Sequence, residues 1–347
     1  MATQRRLIAP PGPKPVGPYS PGILAGDVLY VSGQGVRRPD GTVPATPKAQ
    51  AEQCLANVEN IVKAAGMSMA DVVYSQIYLI DIATRNLVPM ANPHSVLGMA
   101  RMPTETTFEI NAIATKSQAA RDSTIYIPGM FGGDPKEAIG KVQEFLKTAG
   151  ADLSHAVFLN VYLSEGATLE DFDAVYRQYV EPGYSPARAA LAVNALPEKA
   201  AVEITGVAVR DLRQRRVIRP KNMSAKALES PAVLAGDTLY CSLRSAAIPG
   251  PNGGVFSDNV QLQARLTMRN LLDSLEEAGL DFSHVVSSNV YVDNMDEFAS
   301  MNSIYGSYFS SMPPTRTTVQ PVRPAGRVAA NGGQFPPLVR ISMVAVR

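Results

Sequence analysis

Apolar positions along this chain switch between two periods, and the same switch occurs three times. Residues 48–65 carry Ala51, Cys54, Leu55, Val58, Ile61, Val62 and Ala65 at helical spacing and stop at Gly66, which suits a left-handed cap. Residues 72–80 then alternate apolar and polar side chains, the period of a strand with one buried face. The segment AGMSMADVVYSQIYLID, from Ala65, returns as AGADLSHAVFLNVYLSE from Ala149 and as AGLDFSHVVSSNVYVDN from Ala278. One helix-to-strand unit is therefore written three times.

A second element recurs before it. ILAGDVLYVSG, residues 23–33, reads as a hairpin and reappears as VLAGDTLYCSL, residues 233–243, and in shortened form as STIYIPG, residues 123–129. After it, Pro103-Thr104-Glu105, Pro186-Ala187-Arg188 and Pro314-Thr315-Arg316 end 39, 38 and 37 positions beyond Gly66, Gly150 and Gly279. The first unit is expected to have a Pro/Gly-rich arm to Pro18, hairpin strands at 23–24 and 28–32, a helix at 48–65, a strand at 72–80, a second helix at 87–99 and a strand from Glu105. The second runs from a strand at 124–127 through a helix at 136–149, a strand at 156–163, a helix at 169–179 and strands at 188–193 and 201–209. Gly66 to Gly150 is 84 residues against 129 from Gly150 to Gly279, so one or two strands are missing between the first two units. The third follows a basic, irregular linker at 212–226 with a hairpin at 232–242, helices at 260–278 and 295–309, strands at 285–292, 317–322 and 338–346, and a Gly/Ala/Pro loop at 324–337. Each unit reads ββαβαββ, an α+β plan with two helices on one face of a mixed sheet. The expected divisions are 1–120, 121–211 and 212–347.

Charge narrows the partners. With 32 basic and 31 acidic residues the net charge is +1, and the basic runs are as short as Arg213-Gln214-Arg215-Arg216, so no nucleic-acid footprint is present. Cys54 and Cys241 lie in different units and make no disulfide framework. MATQRRLIAPPGPKP lacks an apolar core, and no stretch approaches the length of a membrane span. A soluble cytoplasmic protein is expected. His155 and His284 share one register just before the repeated strand, which points to a turn requirement; with His94 as the remaining histidine, no metal cluster is expected. The glycines at 129–133 and 249–254 match neither a P-loop nor a dinucleotide fingerprint, so no cofactor is implied.

Gly17-Pro18-Tyr19-Ser20-Pro21, then Leu29-Tyr30-Val31-Ser32-Gly33-Gln34, then Ala-Gly, Val-Tyr-Leu, Pro-Ala-Arg and Val-Glu-Ile in order resemble the RidA/YjgF family of reactive-intermediate deaminases, also called endoribonuclease L-PSP. The resemblance covers nearly the whole chain. It implies a chorismate-mutase-like unit, and because the family forms homotrimers with a site in each cleft, three fused units imply an intramolecular pseudo-trimer, alone or further paired. It implies, too, hydrolysis of 2-imino or enamino acids to 2-keto acids and ammonia.

The resemblance assigns roles residue by residue. The arginine of Pro-x-Arg holds the substrate carboxylate, a task for a planar guanidinium fork; Arg188 and Arg316 match it, whereas Glu105 stands there in the first unit. The glutamate of Val-Glu-Ile orients the attacking water; Glu203 matches, fifteen residues after Arg188, while the third unit reads Val339-Arg340-Ile341 and the first shows no secure counterpart. Substrate contacts come from Tyr19, Ser32 and Gly33 in the first unit; the second reads Pro128-Gly129, and the third keeps Ser242 but has Glu229 and Leu243. The expected outcome is one composite pocket, with Tyr19, Ser32 and Gly33 facing Arg188 and Glu203, and Arg316 and Ser242 as further binding residues. Against it stand a carboxylate-binding or protein-interaction scaffold that has lost its chemistry and a ribonuclease of the family type; the near-neutral charge weighs against the latter.

Overall fold

The computed structural model describes residues 3–223, 228–250, 253–330 and 332–347. In the first unit, β1 (Arg5–Ile8), β2 (Gly22–Ala25) and β3 (Val28–Gln34) form an antiparallel arm, followed by α1 (Pro47–Ala64), β4 (Val72–Leu79), β5 (His94–Gly98) and β6 (Phe108–Thr115). A short α2 (Gln118–Ser123) leads to the second unit: β7 (Thr124–Gly132), α3 (Pro135–Thr148), β8 (Ala156–Leu163), α4 (Leu169–Tyr176), β9 (Ala187–Ala192) and β10 (Val202–Val209). The third contains β11 (Arg215–Ile218), β12 (Ala232–Ala235), β13 (Thr238–Arg244), α5 (Val260–Glu277), β14 (Val285–Val292), α6 (Phe298–Tyr305), β15 (Thr315–Val319) and β16 (Val339–Val346). Their sheets run β1-β2-β3-β6-β4-β5, β7-β10-β8-β9 and β11-β12-β13-β16-β14-β15.

Local chemistry sets these elements. The long helices start on side-chain caps, Thr46 receiving the Ala49 N–H, Asp134 that of Glu137 and Asn259 that of Leu262. All three stop at the glycines of the repeated segment, whose φ values of 78°, 74° and 75° at Gly66, Gly150 and Gly279 favour a residue without a side chain. β4, β8 and β14 follow, each hydrogen-bonded parallel to its unit's edge strand and antiparallel to its last strand.

The edge strand of each unit lies against the hairpin strand of the next: β5 on β7, β9 on β13 and β15 on β3. The ring closes, and the three units form a pseudo-trimer within one chain. Tyr78, Tyr162 and Tyr291 hold the same register position and meet in a shared core with Leu97, Leu191 and Val319. Polar groups tie the centre as well, Gln76 Nε2 donating to the Tyr162 hydroxyl at 2.8 Å and Asn111 Nδ2 to Thr317 Oγ1 at 2.9 Å.

Three expectations need correction. The helix read at 87–99 is instead an extended strand, β5, because Pro89 and Pro93 interrupt the helical ladder and His94 begins a parallel pairing with Ser75. The strand expected from Glu105 begins at Phe108; residues 103–105 form a tight turn with left-handed φ at Thr104 and Glu105, matched by Glu198 and Lys199 in the second unit. The segments read as arm and linker contain β1 and β11, which extend their sheets by pairing with β2 and β12. Ser224, Ala225 and Lys226 of that linker, and Asn331 of the late loop, lie outside the described residues.

Candidate active site

Strand register identifies the equivalent positions. Arg316 pairs with Ser288, Arg188 with Leu159 and His94 with Ser75, so His94 occupies the arginine position of the first unit. Glu109 opposes Tyr78, Glu203 opposes Tyr162 and Arg340 opposes Tyr291, so Glu109 is the first unit's counterpart of Glu203. Phe108-Glu109-Ile110 is the same motif as Val202-Glu203-Ile204. Its resemblance could have been read directly from the sequence.

Where β15 meets β3, Arg316 and Glu109 share a cleft. The Arg316 backbone N–H donates to Ser32 Oγ at 2.8 Å, and that hydroxyl donates onward to the Ser20 carbonyl at 2.6 Å. Ser20 in turn donates through its N–H to the Pro314 carbonyl at 3.1 Å and through Oγ to the Pro313 carbonyl at 2.6 Å. The arm carrying Tyr19 is thereby clamped beside the arginine. Arg316 is 4% exposed, with its guanidinium 5.5, 5.5 and 5.0 Å from the ring centres of Tyr19, Phe298 and Tyr305. Its Nη1 donates to Asn302 Oδ1 at 2.7 Å, and among the described residues no carboxylate forms an ion pair with it. Burial pulls its pKa down. A buried cation with one neutral acceptor is costly to maintain and favours an arriving anion.

Glu109 approaches the same space from β6. A Cβ on Gly33 would collide with its carboxylate, so the absence of a side chain there makes room for the acid. Burial raises the Glu109 pKa to about 8, while Arg316 and the Thr318 backbone pull it the other way. The Tyr19 phenol is raised mainly by burial. The cavity, of about 90 Å³, is lined by Tyr19, Gly33, Arg37, Glu109, Arg316 and Thr318 among others.

The other seams depart from this arrangement. At β9 and β13, Arg188 N–H donates to Ser242 Oγ at 2.7 Å, repeating the clamp, but its side chain meets Asp173 at 2.5 Å and Glu229 at 3.9 Å. Asp173 and Asn302 stand three residues before Tyr176 and Tyr305 at the ends of α4 and α6, and Glu229 stands where the first unit has Tyr19, so Arg188 meets two carboxylates where Arg316 meets an amide and a phenol ring. Leu243 replaces the glycine and Arg340 the glutamate. At β5 and β7, Glu203 is wholly buried and accepts from Ser95 Oγ at 2.5 Å, with Gly129 beside it and His94 in place of an arginine.

The structure thus brings Tyr19, Ser32 and Gly33 to Arg316 and Glu109, and not to Arg188 and Glu203, which lie in two different seams. Ser32 and Ser242 spend their hydroxyls on backbone groups, each accepting the arginine N–H of the neighbouring unit and donating to a carbonyl of its own, that of Ser20 or Ser230. Glu105, expected at the arginine position, lies on the surface and pairs with Arg101 at 2.9 Å. His155 and His284 pair with Asp152 and Asp281 in matching turns, and Cys54 and Cys241 are buried.

Glu203 carries its own test. Burial raises its pKa from 4.5 to about 8, so the folded chain keeps a proton that the unfolded chain releases. Stability from this group is present below about pH 4.5 and lost as pH rises through about 8, at up to about 1.4 kcal/mol per pH unit. The melting-temperature advantage of Glu203→Gln over wild type should therefore grow between pH 5 and 8 and then level off; a difference independent of pH would contradict the assignment.

The family model described as Endoribonuclease L-PSP matches residues 10–116, 118–210 and 221–326. The chain belongs to the endoribonuclease L-PSP family, which includes RidA and YjgF. Each of the three L-PSP units contributes its own match. The 2-iminobutanoate/2-iminopropanoate deaminase of Capra hircus is 40% identical over 116 residues, 28% of this chain and 82% of that protein. Protein DfrA of Myxococcus xanthus is 45% identical over 62 residues, so this chain spans 47% of its length. A solved chorismatase structure covers 80% of this L-PSP chain and 93% of its own at 11% identity and a TM-score of 0.58, a likeness of fold alone. No helix among the described residues is long and apolar enough to cross a membrane.

Proposed function

We propose that the cleft between the third and first units hydrolyses small 2-imino or enamino acids to 2-keto acids and ammonia. The observation that carries this reading is the pairing of an arginine without a carboxylate partner, Arg316, with a buried acid, Glu109, in one small cavity. The substrate carboxylate would take the guanidinium, supplying the anion that Arg316 lacks. Its C2 would then face Glu109.

With a pKa of about 8, Glu109 is largely protonated at neutral pH. It can give its proton to the imine nitrogen while its other oxygen receives one from the water that attacks C2, forming a carbinolamine. Glu109 then gives its proton to the amine nitrogen while its other oxygen takes the proton of the new hydroxyl, so that the C–N bond breaks as the C=O bond forms, ammonia and the keto acid leave, and the acid form of Glu109 is restored. Such imines already react with water, so orientation of two partners is the main task left to the protein. The size of the cavity suits a few-carbon acid, and the 2-iminobutanoate/2-iminopropanoate deaminases among the relatives agree with that class.

The test is the rate at which 2-iminobutanoate, generated in situ by an amino-acid oxidase, disappears in competition with semicarbazide. Wild-type protein should lower semicarbazone formation in proportion to its concentration. No effect at micromolar protein would overturn the reading. A related variant separates the seams: Asn302→Asp would give Arg316 the partner that Arg188 has in Asp173, and KM should rise at least about tenfold with the melting temperature little changed.

A further inference from the structure

We infer that the outer edge of β7 is a docking site for an extended segment of a partner protein, which adds to the second unit's sheet as an antiparallel strand. In the first and third units the strand equivalent to β7 is covered: β3 by β2 and β1, β13 by β12 and β11. The second unit has four strands, and among the described residues nothing pairs with the outer edge of β7. Exposed strand edges carry unpaired N–H and C=O groups that readily accept another strand.

The side chains of the two filled seams specify the occupant. β2 alternates, so that Ile23 and Ala25 pack on Val286 and Met312 of the third unit while Leu24 faces the helical core of its own. β12 repeats this with Val233 and Ala235 toward the seam and Leu234 toward its own helix. In register, Val286 corresponds to Val73 and Met312 to Met90. Val73 and Met90 line an open groove beside Ile125, Tyr126 and Phe145. That groove continues the seam interface and stops where the missing strand would lie. It therefore calls for a segment with Ile or Val facing the seam, Leu facing α3 and small residues at either end.

Pro128 sets where pairing ends. Ser32 and Ser242, at its position, donate their N–H groups to the Pro21 and Pro231 carbonyls before the covering strands begin; Pro128 has no such donor. The added strand is thus confined to the register of Thr124 through Ile127.

The probe is a synthetic peptide of residues 20–27, SPGILAGD, titrated into isotope-labelled full-length protein and followed by amide chemical shifts. Saturable shifts confined to β7 and the groove are expected, with a Kd below about 1 mM. Met90→Glu, or a peptide with Leu24→Asp, should weaken binding at least about tenfold, and N-methylation across Ile23 and Leu24 should do the same without altering side chains. No saturable shift at 1 mM, or binding indifferent to these changes, would overturn the proposal. So would a concentration-dependent dimer in sedimentation that Met90→Glu abolishes, because the edge would then belong to a second copy.

Discussion

Arg316→Ala is expected to lower kcat/KM for 2-iminobutanoate by about 100- to 1000-fold, the loss of roughly 3–4 kcal/mol that a desolvated, bidentate charge-assisted contact supplies. Arg188→Ala should stay within about twofold of wild type. The two arginines share strand position, backbone clamp and burial, each being 4% exposed. What differs is the residue opposite: Asn302 accepts one hydrogen bond from Arg316 and leaves its charge uncompensated, whereas Asp173 and Glu229 already compensate that of Arg188. The measurement is the semicarbazide competition run on both variants, with melting curves to show that each folds. Arg188→Ala carries a structural risk of its own, since it takes from Asp173 the guanidinium it pairs with; if it unfolds, Arg188→Lys keeps the charge and serves in its place. Equal losses at both arginines would contradict the assignment of one working cleft.

Glu109→Gln has a second large expected effect, a fall in kcat of about 100-fold or more with KM changed little, because the amide can fill the space opposite Gly33 but cannot pass a proton. The pH dependence gives the sign. The acid form exists below the raised pKa, so activity of the wild type should decline as pH rises through about 8, and the variant's residual rate should lack that limb. Activity that climbs through the same interval would make Glu109 a base and reverse the proposed proton order.

Much of the fold was legible because the same physical demands are written three times. The helix caps and the Ala-Gly stops put 156–163 and 285–292 at the observed β8 and β14 bounds. The first unit's second half misled for a specific reason: Pro103 sits at nearly the same distance from its cap glycine as Pro186 and Pro314, yet it belongs to the left-handed turn that Pro197 makes in the second unit. Anchoring on it put Glu105 at the arginine position and hid both His94 and Glu109. Which arginine meets which glutamate was a different matter. A ring of three units can close in either direction, and the residues that decide it are the side chains packing at the seams, such as Tyr74 stacked on Tyr126 and Phe158 on Tyr240. No local motif encodes that choice. The neutralisation of Arg188 was readable only by aligning Asp173 with Asn302 on two short helices of dissimilar sequence.

The most direct measurement is a crystal structure of the protein soaked with 2-ketobutyrate, the product analogue that carries the same carboxylate. The account predicts the carboxylate on the Arg316 guanidinium with the keto oxygen turned toward Glu109, and no ligand at Arg188. Density at Arg188, or an unoccupied Arg316 cleft at saturating ligand, would contradict it.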